Sequence, residues 1–206
     1  MPDLKNMQNC NTDFSSGFFA AGAIKKSSNL QLFNFPEKMN GDFLCSTNNL
    51  TSLKGSPQEH VTGNFHCNAN NLTSLEYSPI QVDGHYNCHH NRLSSLKGIS
   101  SKIGESVSAY HCGLTSLKDI HNYFKGGYLR GTLCVSYNPI CESILGALLV
   151  SELQDVQYFP RSDFIKHQQS KRAFEIINKH LKTEERDVLL CQRELIQAGL
   201  KEYAKL

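Results

Sequence analysis

One unit recurs along the chain, and no other feature restricts the fold as strongly. Val61 to Pro79 reads VTGNFHCNANNLTSLEYSP, and the copy before it, Met39 to Pro57, reads MNGDFLCSTNNLTSLKGSP. Further copies begin at Val82 and Ile103, and a shorter one at Leu129. The starts at 39, 61, 82, 103 and 129 are 22, 21, 21 and 26 residues apart. A unit this short cannot bury its own apolar face. Stacked on its neighbours it can, so a period in this range predicts a solenoid.

The aligned columns separate by chemistry. Met39, Val61, Val82, Ile103 and Leu129 form the first, followed by Gly41, Gly63, Gly84 and Gly131, with Glu105 as the exception. Phe43, Phe65, Tyr86, Val107 and Leu133 precede Cys45, Cys67, Cys88, Ala109 and Val135 by two positions, the spacing that puts both on one face of a strand. Asn48, Asn70, Asn91, Cys112 and Asn138 then stand where a turn follows, and stacked asparagines there can bond backbone groups as a ladder. Leu50, Leu72, Leu93, Leu114 and Ile140 come next, and Leu53, Leu75, Leu96 and Leu117 close the unit. Gly55, Pro57, Pro79 and Gly98 in the connections leave no room for a long helix, so a flat, narrow array is expected.

This pattern resembles the leucine-rich repeat L-x-x-L-x-L-x-x-N/C-x-L of the short bacterial type, with aromatic and Cys residues in two leucine places. The runs NLTSLKGSP and NLTSLEYSP look like repeats carried by small bacteriophage proteins, and the tail ERDVLLCQRELIQAGLKEYAKL resembles a recurrent tail in them. The resemblance implies an α+β protein: a leucine-rich-repeat solenoid with a parallel β-sheet, then a small C-terminal helical subdomain. It also implies a protein that acts in the host cytoplasm by binding a host protein, a defence protein among the natural targets, and inhibiting or sequestering it.

The chain is expected to divide into an N-terminal cap or degenerate repeat over 1–38, the array over 39–140 and a helical subdomain over 141–206. Phe14, Phe18, Phe19 and Ile24 can cover the first unit's open end. Residues 121–128, HNYFKGGY, read as a projecting loop. Asn138 and Pro139 read as a helix start, with Ile144, Leu145, Leu148, Leu149, Leu153 and Val156 at helical spacing behind them. A second helix fits 163–181. A third is expected to be capped by Thr183 and to bury Val188, Leu189, Leu195, Ile196, Leu200 and Tyr203.

A net charge of +2, with Lys and Arg nearly balanced by Asp and Glu on either side of residue 140, argues against nucleic acid or an anionic membrane as partner. The eight cysteines include no CxxC pair, and three of them share a core column where Cys acts as a small hydrophobe. Reduced core thiols point to a cytosolic protein. No stretch has the form of a signal peptide or the length of a membrane span.

Function in a solenoid sits on the strand face that points out of the core. The outward columns are Asp42, Asn64, His85, Ser106, Thr132; then Leu44, His66, Asn87, Ser108, Cys134; then Ser46, Asn68, His89, Tyr110, Ser136. Thr47, Ala69, His90, His111 and Tyr137 lie just past the strands. The face has no Lys or Arg and is rich in His, Asn, Ser and Tyr, which suits a protein or peptide partner. Its candidate contact residues are Asn64, His66, Asn68, His85, Asn87, His89, His90, Tyr110, His111 and Tyr137. Five histidines gather there, but no carboxylate or thiolate is placed to complete four ligands, so neither a metal nor a cofactor is expected.

An enzyme is not expected either. Phosphate-binding loops, G-x-S-x-G and H-E-x-x-H are absent. Some bacterial leucine-rich-repeat proteins carry a ubiquitin-ligase domain with a nucleophilic Cys. Here Cys191 sits in DVLLCQREL with no Asp-His arrangement nearby, and the tail is short for such a domain. The alternatives to an interaction module are a homodimer through a terminal strand or the tail, and a small-molecule sponge, for which a narrow array offers few deep pockets.

Overall fold

Every unit turns through two short strands with a corner between them. The structure is a computed structural model describing residues 18–19, 35–159 and 165–206. Lys38–Met39, His60–Val61, Gln81–Val82, Lys102–Ile103 and Tyr128–Leu129 pair into a five-stranded parallel sheet. Phe43–Leu44, Phe65–His66, Tyr86–Asn87, Val107–Ser108 and Thr132–Cys134 lie in a seven-stranded parallel sheet. Phe18–Phe19 pairs with Phe43–Leu44 at one edge and Asp155–Gln157 with Thr132–Cys134 at the other. The protein is a solenoid of parallel strands.

The register follows the repeat alignment residue for residue. Phe43, Phe65, Tyr86, Val107 and Leu133 are Cα partners from coil to coil, and so are Met39, Val61, Val82, Ile103 and Leu129. The second sheet, carrying the first column, was not expected. It forms because the chain turns inside each unit and sends the first column inward as well. In all but the fourth coil, which carries Glu105 there, the corner is held by glycine. A Cβ on Gly63 would lie 2.6 Å from the Gly41 carbonyl carbon and one on Gly84 3.0 Å from that of Gly63. Either would force the coils apart.

Between the sheets the aromatic column stacks, Phe43 on Phe65 at 5.2 Å and Phe65 on Tyr86 at 5.1 Å. The buried Tyr86 hydroxyl meets Ser78 Oγ at 2.6 Å, so its polar end is not stranded. Cys45, Cys67 and Cys88 are free and fully buried. Burial pushes the Cys45 and Cys67 thiols well above their ordinary pKa, and at Cys88 the hydrogen bond with Cys112 does so first, with burial adding to it.

The asparagine column forms the expected ladder. Asn70 Nδ2 donates to Cys45 O and Cys67 O, while its Oδ1 accepts the Asn48 and Leu50 N–H groups. Asn91 donates to Cys67 O and Cys88 O and accepts from Leu72 N–H. Asn138 donates to Ala109 O and Val135 O and accepts from Cys112, Gly113 and Leu114. Each of these amides spans two coils. Cys112 takes its turn in the column by donating Sγ–H to Cys88 O at 3.3 Å.

Beyond the fourth unit the sequence expectations need correction. Asn138 is a buried rung of the ladder, and no helix starts there. Only Leu145–Leu149 turns helically, as a 3₁₀ segment, and the chain then enters the strand Asp155–Gln157. The sheet therefore runs past residue 140. Of the apolar residues placed at helical spacing from Ile144 to Val156, Leu149 is 47% exposed and the others are buried by a coil, which short segments cannot distinguish from a helix face. Nor does the insertion project as a whole: the short helix α1 (Ile120–Tyr123) leads into it, and Phe124 within it is buried in the core, as is Ile120 just before it. Phe14 and Ile24, expected to cover the first coil, lie outside the described residues.

Helices α2 (Ile165–Leu181) and α3 (Val188–Gln197) follow, α2 packed on the last strand and both on the 3₁₀ segment. Ala173, Phe174, Ile177 and Leu181 of α2 are buried, as are Cys191 and Leu195 of α3. Asn178 reaches the sheet edge, its Oδ1 accepting Val156 N–H and its Nδ2 donating to Val156 O, each at 2.8 Å. This side chain fills the bonding positions of a further strand. The Arg186 guanidinium donates to Val150 O and Leu153 O. The α3 cap is Asp187, which accepts Leu190 N–H at 2.9 Å; Thr183 instead bonds His180 O and Glu185 O. Leu189 and Ile196, expected to be buried, are 65% and 53% exposed, seven residues apart on the side opposite Cys191 and Leu195. No helix among the described residues is long and apolar enough to cross a membrane.

Candidate functional site

The ten candidate residues separate into two groups once the hydrogen bonds are drawn. The first outward column holds coils together. Asp42 Oδ1 accepts Asn64 N–H at 2.7 Å, Asn64 Oδ1 accepts His85 N–H at 2.8 Å, and His85 Nδ1 accepts Ser106 N–H at 3.3 Å. Ser106 Oγ accepts Thr132 N–H at 3.1 Å. Asn64 and His85 are thus rungs of a second ladder, and His85 Nε2 also meets Glu105 Oε2 at 2.6 Å. Asn68 accepts Ser46 Oγ–H at 2.6 Å, and Asn87 Nδ2 lies 3.0 Å from His66 Nδ1. Partial burial lowers the His66 pKa; Asp42 opposes this and His85 adds to it.

The other five, His89, His90, Tyr110, His111 and Tyr137, form one continuous patch of rings. His89 stacks on Tyr110 at 4.2 Å and 10° between planes. His111 stacks on Tyr137 at 4.6 Å and 8°, and His90 lies 4.8 Å from His111. His89 and His90 also touch, Nδ1 to Nδ1 at 2.9 Å, so at least one of these nitrogens carries no proton. Desolvation, reinforced by His90, His66 and His111, lowers the His89 pKa to about 4, leaving its ring neutral at physiological pH.

Backbone conformation builds this patch. Thr47, Ala69, His90, His111 and Tyr137, one per coil, all adopt the left-handed region with φ of 60, 54, 53, 52 and 59°. For residues with a Cβ this costs roughly 1–2 kcal/mol each. The N–H groups of the column offset it by bonding the next coil, from Thr47 to Asn68 O at 3.1 Å through Tyr137 to Phe159 O at 2.8 Å. The reversal also turns the following residue inward, where Asn70, Asn91 and Asn138 reach the buried carbonyls. It leaves Tyr137 41% exposed.

One member of the face went unread in the sequence. Phe159 continues the third outward column in the last coil, accepts Tyr137 N–H, donates to Ser136 Oγ at 3.0 Å and is 60% exposed. Its signal was the repeat continuing past residue 140. Elsewhere, Cys191 is fully buried, and desolvation, with Glu194 adding to it, pushes its thiol up to about 12. Such a thiol is held in its protonated form at neutral pH. Among the described residues no three His, Cys, Asp or Glu side chains converge to hold a metal. Comparison with family models, curated proteins and solved structures returned no match.

Proposed function

We propose that this chain is a non-enzymatic interaction protein of the leucine-rich-repeat type, its helices α2 and α3 closing the C-terminal end of the array as a small subdomain. It binds a protein partner through the ring patch of His89, His90, Tyr110, His111 and Tyr137, with Phe159 at its margin. The observation that carries this reading is the partly exposed run of stacked rings, with no Lys, Arg, Asp or Glu among them, whose backbone sits in a strained conformation at His90, His111 and Tyr137. Amphipathic rings on a rigid sheet supply contact area at little conformational cost. The protonated, buried Cys191 thiol supports the non-enzymatic part. Following the sequence resemblance, the partner is a host protein that the chain, phage-encoded and acting in the host cytoplasm, inhibits or sequesters.

Affinity capture from host lysate tests this with three proteins: wild type, a Tyr110→Ala/Tyr137→Ala variant and an Asn178→Ala variant. The reading predicts one partner retained by wild type and Asn178→Ala and lost by the ring variant, with all three folded by circular dichroism. Retention by the ring variant moves the site off this face. A second reading, self-association through Leu189, Leu190 and Ile196 of α3, is favoured by their exposure. A monomer at all concentrations in light scattering removes it.

A further inference from the structure

Consecutive residues of a strand point to opposite faces. His89 and His90 escape that rule because His90 is left-handed, with φ 53°, and their Nδ1 atoms stand 2.9 Å apart. This spacing has chemical meaning. Two nitrogens bound at about 2.0–2.1 Å and at right angles to one metal ion lie about 2.9 Å apart, whereas a tetrahedral ion spreads them to about 3.4 Å.

The surroundings suit a cation. The outward columns contain no Lys or Arg to repel it. Tyr110, stacked on His89, and His111, 4.8 Å from His90, brace both rings against rotation. At least one Nδ1 already offers a lone pair, so binding does not require both rings to lose a proton.

We propose that His89 and His90 form a two-imidazole site for a divalent ion of square or octahedral preference, Cu2+ or Ni2+. With no third His, Cys, Asp or Glu converging among the described residues, its remaining positions stay open to water or to a donor group on a bound molecule. The site is independent of whether the face binds a protein.

The test is a titration of the untagged full chain with Cu2+ alone, read by electron paramagnetic resonance and its imidazole-nitrogen couplings. His89→Gln, His90→Gln and His60→Gln are compared, with circular dichroism checking the fold of each. His60 serves as control because it sits in another column and pairs with Asp83 at 2.9 Å. Wild type and His60→Gln should bind one Cu2+ through two imidazoles. Each of the other variants should show one imidazole and bind at least about tenfold more weakly. Unchanged couplings and affinity in a folded His89→Gln chain would overturn the proposal, since the ion would then sit elsewhere. So would a wild type that binds no Cu2+.

Discussion

Replacing Asn138 with Ala should be among the most damaging single changes in the array. Asn138 Oδ1 accepts three N–H groups, from Cys112 at 2.9 Å, Gly113 at 2.8 Å and Leu114 at 3.1 Å. Its Nδ2 donates to Ala109 O at 2.8 Å and Val135 O at 2.9 Å. Cys112 and Leu114 are buried, so without the amide their N–H groups have no route to water. A buried polar group left unsatisfied costs roughly 1–3 kcal/mol, so these two alone put the loss at about 2–6 kcal/mol. A domain typically holds only about 5–15 kcal/mol in total. At about 2–4 °C per kcal/mol for a chain of this size, the melting temperature should fall by about 4–24 °C. Urea unfolding followed by circular dichroism measures the loss directly. Asn138→Cys supplies a graded comparison, because Cys112 performs part of the same task one coil earlier by donating to Cys88 O. It should fall between wild type and Ala. An Ala variant within about 0.5 kcal/mol of wild type, inside the error of the method, would refute the idea that the ladder ties coil to coil.

Four further outcomes follow from other contacts. Cys112→Asn should stabilise the chain by about 1 kcal/mol in the same assay, because an amide there adds an acceptor matching the one Asn91 offers Leu72 N–H. Ala69→Gly should be neutral or stabilising, by up to about 1 kcal/mol, since glycine relieves the left-handed φ of 54°; Ala109→Gly, at a buried position outside the left-handed column, should destabilise. Native protein should leave Cys45, Cys67 and Cys88 unlabelled by a thiol reagent until denatured, as their burial requires. Lys179 and His180 hold the Glu194 carboxyl below the usual carboxylate range. Its folded pKa is depressed, so its stabilisation is present above the unfolded pKa of about 4.3 and fades as pH falls through the folded value. Glu194→Gln should therefore melt lower than wild type at pH 7, with the gap closing in acid; a gap that persists there would contradict the pairing.

The repeat columns made most of the array legible. Burial of the aromatic and Cys columns, the strand register and the asparagine ladder all follow from side-chain alternation and the needs of buried backbone. The five-stranded sheet was hidden because each of its strands buries a single residue, leaving no alternation to register, whereas the aromatic and Cys columns two positions apart mark the other sheet. The last coil was hidden because Ile144, Leu145, Leu148, Val150, Leu153 and Val156 are all buried, and closely spaced buried residues mimic a helix face. At the candidate site, composition placed the histidines and tyrosines on one face. It did not separate Asn64 and His85, which bond neighbouring coils, from the rings that pack on each other. Nor did it reveal the left-handed column, whose residues are Thr, Ala, His, His and Tyr with no glycine or asparagine to mark it.

Photo-crosslinking from the face itself bears most directly on the proposed function. A photoreactive phenylalanine analogue replaces Tyr137 in one protein and Lys118, exposed in a connection outside the outward columns, in another. Both are irradiated in host lysate. The account predicts one host protein joined to the chain from position 137 and absent from position 118. Crosslinks to that protein from position 118 alone, or equally from both positions, would contradict it.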